Sequence, residues 1–490
     1  MNLSDYKFAK QFFILERITA PASFSDWLVH DLGDGRVLHT HPRLEVTKEK
    51  HGKSTILCLG HIVDPYYPER SNKDVLANLL AETAKKSCFF TELETQMYSL
   101  GGRWLMLAVH DSGLRIYPDA AGLKPAFYLD DAKKGLIAAS QPALLEALGL
   151  GKQNKNALDE FKKCNHARSW PIGVIPYNSE IKQLTPNHYF DAKKSKSIRF
   201  WHGKETVHDN IDEVAKRLTI ILKGTVKALT LRRPCTLSLS GGYDSRMLFS
   251  CALEHLEQLN FFTTVSDYSP ECDIVIPEKL AAQYDLRHRF TKKDLSQEQK
   301  QALVVLAENV GNMYYDRSIE NIFAFHDAVG EGFHLPGSVS EISRCYYSPY
   351  GKRVLPLTPK RVARYAGFKN NPYAEEGFAQ WLAALPDNLV HDKMDMLYWE
   401  HRLGIWSSCG LTYREGVIEQ IPPMNNREYM TLALSADMKD RLPPHNLIRE
   451  VIKNNAPELL QYAFNDEKER PLLNQFPKIK YVKERLLRWR

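Results

Sequence analysis

The sequence predicts a chain of mixed α/β and α+β class: a β-rich first part, then a twisted parallel sheet with helices, then a mostly helical end. Three observations carry this. Residues 1 to about 200 hold short β-prone runs set off by turn residues, such as Ile56–Leu59, Trp104–Val109, Leu114–Tyr117, Ala126–Leu129 and Leu136–Ala139. Residues 236–291 then alternate strand and helix in βαβαβ order, which predicts a parallel sheet with its ligand at the carboxyl ends of the strands. From about residue 300 onward the chain reads as mostly helical. The 490 residues suffice for two or three domains. The natural boundary falls near residues 200–208, dividing the chain into 1–203 and 204–490. There Trp201-His202-Gly203-Lys204 ends the β pattern and Asp209–Leu231 begins a long amphipathic helical stretch.

The βαβαβ segment is justified element by element. Thr236–Leu239 is a short β-prone run. It ends in Ser240-Gly241-Gly242-Tyr243-Asp244-Ser245, and the chain turns at once into a helix on which Met247, Leu248, Cys251, Ala252 and His255 fall at helical spacing. Asn260–Ser266 reads as the second strand, Glu271–Tyr284 as a helix and Leu286–Thr291 as the third strand. Two adjacent glycines between a strand and a helix let backbone N–H groups converge on an anion. The helix adds its positive end. Ser240 and Ser245 can donate hydroxyls to phosphate oxygens, and Asp244 can hold Mg²⁺ against them. No Gly-Lys-Ser/Thr follows, so this is not a Walker A loop. It resembles the Ser-Gly-Gly-x-Asp-Ser pyrophosphate loop of enzymes that split ATP between the α and β phosphates. Asp273 opens the following helix, where a charge–dipole role is the simpler reading.

Composition narrows the classes. No apolar run approaches the ~18 residues of a membrane span. The start, Met1-Asn2-Leu3-Ser4-Asp5-Tyr6-Lys7, lacks the apolar core of a signal peptide. The eight cysteines are scattered without a C-x-x-C pair, so neither a zinc site nor a disulfide framework is expected. Reduced thiols and a cytoplasmic location are the expectation. The formal net charge is +6, and Phe476–Arg490 holds six basic residues and one acidic. The rest is near neutral, which argues against a nucleic-acid partner. That terminal stretch, with Ile479, Val482, Leu486, Leu487 and Trp489, reads as a helix packed on the domain. The alternative is a site for an anionic partner or membrane surface.

Taken together, these residues resemble the asparagine synthetase B family, and the similarity is collinear across both halves. Gly101–Asp111 resembles the family's core strand pair, and Tyr117–Tyr128 its hairpin with a Gly-x-Lys/Arg-Pro core. Ala138–Leu144, Gln183–Phe190 and Arg199–Trp201 resemble later parts of its glutaminase domain. The resemblance implies an N-terminal β-sandwich with helices, of N-terminal-nucleophile hydrolase type. It also implies a doubly wound parallel-sheet domain with a PP-type pyrophosphate loop and a helical C-terminal region. It further implies ATP and Mg²⁺ as cofactors. Ser240, Gly241, Gly242, Tyr243, Ser245, Thr263, Val265 and Gly337 would form the nucleotide site, and Asp244 and Glu341 the metal pair.

The departures shape the expected function. The family's glutaminase uses a cysteine at position 2; here position 2 is Asn2, and no cysteine precedes Cys58. Glutamine hydrolysis is therefore expected to be lost, as in β-lactam synthetase and the lasso-peptide cyclases. In the second motif, Leu335–Arg344, Gly337 matches a family glycine, Ser338 replaces a glutamate and Glu341 stands at the family's metal-binding aspartate. Asp316-Arg317 resembles the substrate-lining segment, and Arg317 could hold a phosphate or carboxylate. Tyr398–Arg402 and Ile421–Arg427 resemble further family elements. Lys468 stands near the position of the family's phosphate-neutralising lysine. The expected activity is ATP-dependent, AMP- and pyrophosphate-forming amide synthesis. A small-molecule or peptide carboxylate is adenylated and attacked by ammonia or a substrate amine, with Asp244, Glu341, Arg317 and Lys468 as the catalytic set. A homodimer is compatible with the family. The alternative is a nucleotide-binding pseudoenzyme or assembly partner. An adenylating RNA-modifying enzyme would need a basic face or zinc-binding cysteines, and neither is visible.

Overall fold

The computed structural model describes residues 3–129, 135–164, 169–178, 180–201, 203, 210–265, 269–292, 295–312, 321–349, 351 and 356–465. The first part carries β1 (Phe12–Glu16), β2 (Leu28–Gly33), β3 (Arg36–Thr40), β4 (Val46–His51), β5 (Ser54–Val63) and β6 (Gly101–His110). It continues with β7 (Gly113–Pro118), β8 (Phe127–Leu129), β9 (Ala138–Ala139), β10 (Ile181–Gln183), β11 (His188–Asp191) and β12 (Lys196–Arg199). They form two antiparallel sheets, ordered β10-β8-β9-β1-β3-β2 and β12-β11-β7-β6-β5-β4.

Alternation explains why both faces of the second sheet are apolar. In β5, Leu57 and Leu59 pack inward with Phe12, Ile14 and Leu38 of the first sheet. Ile56 and Cys58 point the other way, onto Leu76 and Leu80 of helix Asn72–Thr83 and Leu93 of helix Phe89–Gln96. Leu105 and Leu107 of β6 repeat the inward set, and Trp104 and Met106 the outward one. β5 and β6 are buried on both sides, so each reads as a near-continuous hydrophobic run. The expected strand at Leu136–Ala139 shortens to Ala138–Ala139 because only these residues pair, with β1 and β8.

The helix expected over Asp209–Leu231 runs from Ile211 to Thr230, with Asn210 capping it by accepting from the N–H groups of Asp212 and Glu213. Residues 202 and 204–209, where the predicted boundary falls, lie outside the described set. Next come β13 (Cys235–Ser238), β14 (Leu259–Val265), β15 (His288–Lys292), β16 (Phe333–Leu335) and β17 (Glu419–Gln420). All pair in parallel, in the order β15-β14-β13-β16-β17. The chain steps outward from β13 through β14 to β15, then returns to place β16 on the other side of β13. The order reverses between β13 and β16, and a crevice opens there at the carboxyl ends. Residues after 320 are mostly helical and include a π-helical stretch, Tyr398–Ser407. Among the described residues no helix is long and apolar enough to cross a membrane.

Candidate functional site

A cleft of about 330 Å³ lies at this reversal, lined by Ser238–Ser240, Asp244, Ser245, Thr263, Thr264, Ser269, Asp273, Gly337, Ser338 and Glu341. Its floor is the loop that leaves β13. Helix Tyr243–Ala252 starts within that loop and presents its N-terminal end to the cleft.

Loop geometry is fixed by short local bonds. The Ser240 and Ser245 hydroxyls lie 2.8 Å apart, and the Ser240 N–H donates to Ser245 Oγ at 3.2 Å. The Gly241 N–H donates to Asp273 Oδ1 at 2.7 Å, and the Gly242 N–H to Ser240 Oγ at 3.2 Å. Two of the amides expected to face an anion are therefore engaged inside the protein. Asp273 holds the loop against the next helix, a role beyond charge–dipole stabilisation. A side chain at 241 would press on the carbonyl of Cys272, 2.8 Å from the would-be Cβ. Gly337 brings the second motif against the loop, since a Cβ there would sit 2.9 Å from the Asp244 carbonyl carbon and 3.0 Å from the Ser245 nitrogen.

Asp244 and Glu341 line the same cleft. Burial pushes the Asp244 carboxyl up to about 6; Glu341 adds to the rise and Arg344 opposes it. Asp244 Oδ2 accepts from Arg344 Nη2 at 2.6 Å, while Oδ1 is buried with no hydrogen-bond partner. Glu341 accepts from the Tyr398 hydroxyl at 2.8 Å. Among the described residues no group of three metal-ligating side chains forms. A Mg²⁺ here would draw on Asp244 and Glu341, and take its remaining oxygens from substrate and water. The partnerless Oδ1 suits such a cation.

Other expected residues fall differently. Thr263 lines the cleft, but its hydroxyl donates to the Leu239 carbonyl at 3.0 Å and bonds to His288 Nε2 at 2.9 Å. Val265 is not among the cleft-lining residues; Thr264 and Ser269 are. The Tyr243 side chain turns away from the cleft, stacking on Phe464 at 3.8 Å and meeting His445 edge-on. Arg317 and Lys468 lie outside the described residues, as do Asn2 and the basic end Phe476–Arg490. Cys58, the first cysteine of the chain, is fully buried and its thiol is pushed up to about 12 by burial, so it cannot replace a thiolate nucleophile.

Three contributors escaped sequence reasoning. Arg344 reaches Asp244 across a gap of 100 residues. Arg246, fully buried, donates to the carbonyls of Gly241, Leu459, Tyr462 and Ala463, tying the loop to the C-terminal segment. Val339 sits at φ 80°, ψ −31°, a conformation that strains a β-branched residue, and so aims Ser340 and Glu341 at the loop. Only Val339 left a local signal, its place inside a motif matched on Gly337 and Glu341.

Polar contacts also join the two halves. Tyr398 serves the cleft, while Glu400, two residues on, takes a bidentate contact from Arg199 at 2.6 and 2.9 Å. Asn425 bonds to the Gly102 carbonyl and the Ala121 N–H, and Arg427 to Asn187. Compared with known proteins, the chain matches no protein-family model and no curated protein sequence.

Proposed function

We propose that this protein is an ATP-dependent amide synthetase of the asparagine synthetase B type, with a first domain of N-terminal-nucleophile form that no longer hydrolyses glutamine. One observation carries the reading. A Ser-Gly-Gly-x-Asp-Ser loop opens a helix at the strand-order reversal of a parallel sheet, with a second carboxylate, Glu341, across from Asp244. The lining is hydroxyl-rich and acidic, which suits a metal-bound polyphosphate more than an apolar ligand.

In this reading the doubly wound domain binds ATP in the cleft. Asp244 and Glu341 would hold a Mg²⁺, which when bound would supply charge neutralisation for the departing pyrophosphate. The helix N-terminus and the Ser240 and Ser245 hydroxyls orient the phosphates, and Gly337 keeps the second motif close enough to share them. A substrate carboxylate displaces pyrophosphate at the α-phosphorus, and an amine then displaces AMP from the acyl-adenylate. With no thiolate at Asn2 or Cys58, the amine comes from ammonia or from a substrate.

The test is pyrophosphate release from Mg-ATP by the full chain, across a pool of amino acids and cell extract, with ammonium or glutamine. Release that needs Asp244 and runs with ammonium but not glutamine is the expected result. ATP binding without release under any condition would replace this reading with a nucleotide-binding regulator. Glutamine-supported release would restore the glutaminase.

A further inference from the structure

We infer that Arg344 is a polyphosphate ligand of the cleft: it pairs with Asp244 and turns onto the β and γ phosphates when a metal-bound nucleotide takes the carboxylate. The inference rests on the nucleotide reading above and adds a cation that lessens its charge deficit. The described lining of the cleft carries Asp244, Asp273 and Glu341 and no lysine, arginine or histidine. A nucleotide carrying several negative charges would meet three carboxylates, and one divalent cation would not offset them. Arg344 is the guanidinium that reaches in, with Nη2 2.6 Å from Asp244 Oδ2. Neighbouring cations are committed elsewhere: Arg246 to backbone carbonyls, and Arg441 to Asp395 at 2.9 Å.

The setting lets Arg344 change partner. Both members of the pair are about a quarter exposed, so the contact stands at the mouth of the cleft. Arg344 ends the short turn Ser340–Arg344, and Cys345 after it is left-handed at φ 50°. Its backbone is thus held, with Nε buried and the outer nitrogen Nη2 on Asp244. A planar fork suits two phosphate oxygens as well as one carboxylate. Asp244 keeps Oδ1 for the metal, so nucleotide entry exchanges the Asp244–Arg344 pair for one contact between Asp244 and the metal and one between Arg344 and phosphate.

The experiment is calorimetric titration of the full chain with AMP and with magnesium α,β-methylene-ATP, which is not cleaved. Wild type, Arg344→Gln and Arg344→Lys are compared. Arg344→Gln is expected to weaken the ATP analogue about ten- to a hundred-fold and leave AMP unchanged, because AMP lacks the phosphates in question. Arg344→Lys should regain part of the loss. Equal affinity of wild type and Arg344→Gln for the analogue would overturn the inference and leave the nucleotide reading standing. Equal losses for AMP and the analogue in both variants would also overturn it, making Arg344 a prop of the loop. Wild type binding neither ligand would remove the nucleotide reading and this inference together.

Discussion

Two of the charge clusters among the described residues are balanced in opposite ways. Where the antiparallel sheets meet the second half, Glu415 accepts from Lys124 at 2.5 Å and Arg103 at 3.2 Å. Beside it, Glu419 pairs with Lys10 at 2.5 Å and lies 3.9 Å from Arg103. Two acids there face three cations. Burial works against the Glu419 charge, but Lys10, His61, Arg103 and Lys124 together hold its carboxyl far below the usual range. In the cleft, three acids face one arginine, and the Asp244 carboxyl is pushed up to about 6 instead. A cluster whose acids are all paired acts as a clamp. A cluster short of cations stays costly until a ligand completes it.

The comparison is broken most directly at the clamp. Glu415→Ala leaves Lys124 and Arg103 buried without their main anion. It should lower unfolding stability by about 3–5 kcal/mol, read by urea denaturation. A loss below about 1 kcal/mol would mean that the seam is held by apolar packing and its charges are incidental.

Acid should act on the same seam. Burial pulls His61 and His334 down to about 3 in the folded chain, from about 6.5 unfolded. The fold holds them neutral, so their contribution is complete above pH 6.5. It falls as the pH drops from 6.5 towards 3, where the unfolded chain binds protons that the folded one does not. Each should cost about 1.4 kcal/mol per pH unit in that window. His61→Phe and His334→Phe, compared with wild type, should flatten the pH dependence of Tm between 6.5 and 5. An unchanged slope would place the acid sensitivity elsewhere.

How much of this was readable in the sequence depends on the range of the interaction. The βαβαβ order, the Ser240–Ser245 loop and the helix Ile211–Thr230 were legible because periodicity and turn chemistry act over a few residues. The meeting of Asp244 with Glu341 came from the motif resemblance and not from any local pattern. The pairing of Arg344 with Asp244, the seam from Arg103 to Glu415 and the stacking of Tyr243 on Phe464 are long-range. No spacing rule reports them. Tyr243 shows the cost of reading by motif alone: its place inside the loop suggested a ligand contact, while its ring is part of the core.

Gly337→Ala should have a middling effect on folding and a large one on function. The new methyl would press on the backbone at Asp244 and Ser245, at about 2.9–3.0 Å. Overpacking of this kind costs about 1–3 kcal/mol. By separating the second motif from the loop it should also abolish pyrophosphate release. A variant with wild-type release would show that the two motifs do not act on one phosphate chain.

The smallest expected effect on stability sharpens the comparison furthest. Asp244→Asn removes a carboxylate that Glu341 repels, and loses an ion pair whose members are each about a quarter exposed. Pairs with that access to water are worth about 0–1 kcal/mol, and relief of the repulsion acts the other way. Urea denaturation should therefore give a change within about 1 kcal/mol, against several for Glu415→Ala. Pyrophosphate release should fall about a hundred- to a thousand-fold, since the amide cannot hold the cation that stabilises the leaving group. A variant destabilised as much as Glu415→Ala would make the Asp244–Arg344 pair a second clamp, and the cleft would lose its claim to be charged for a ligand.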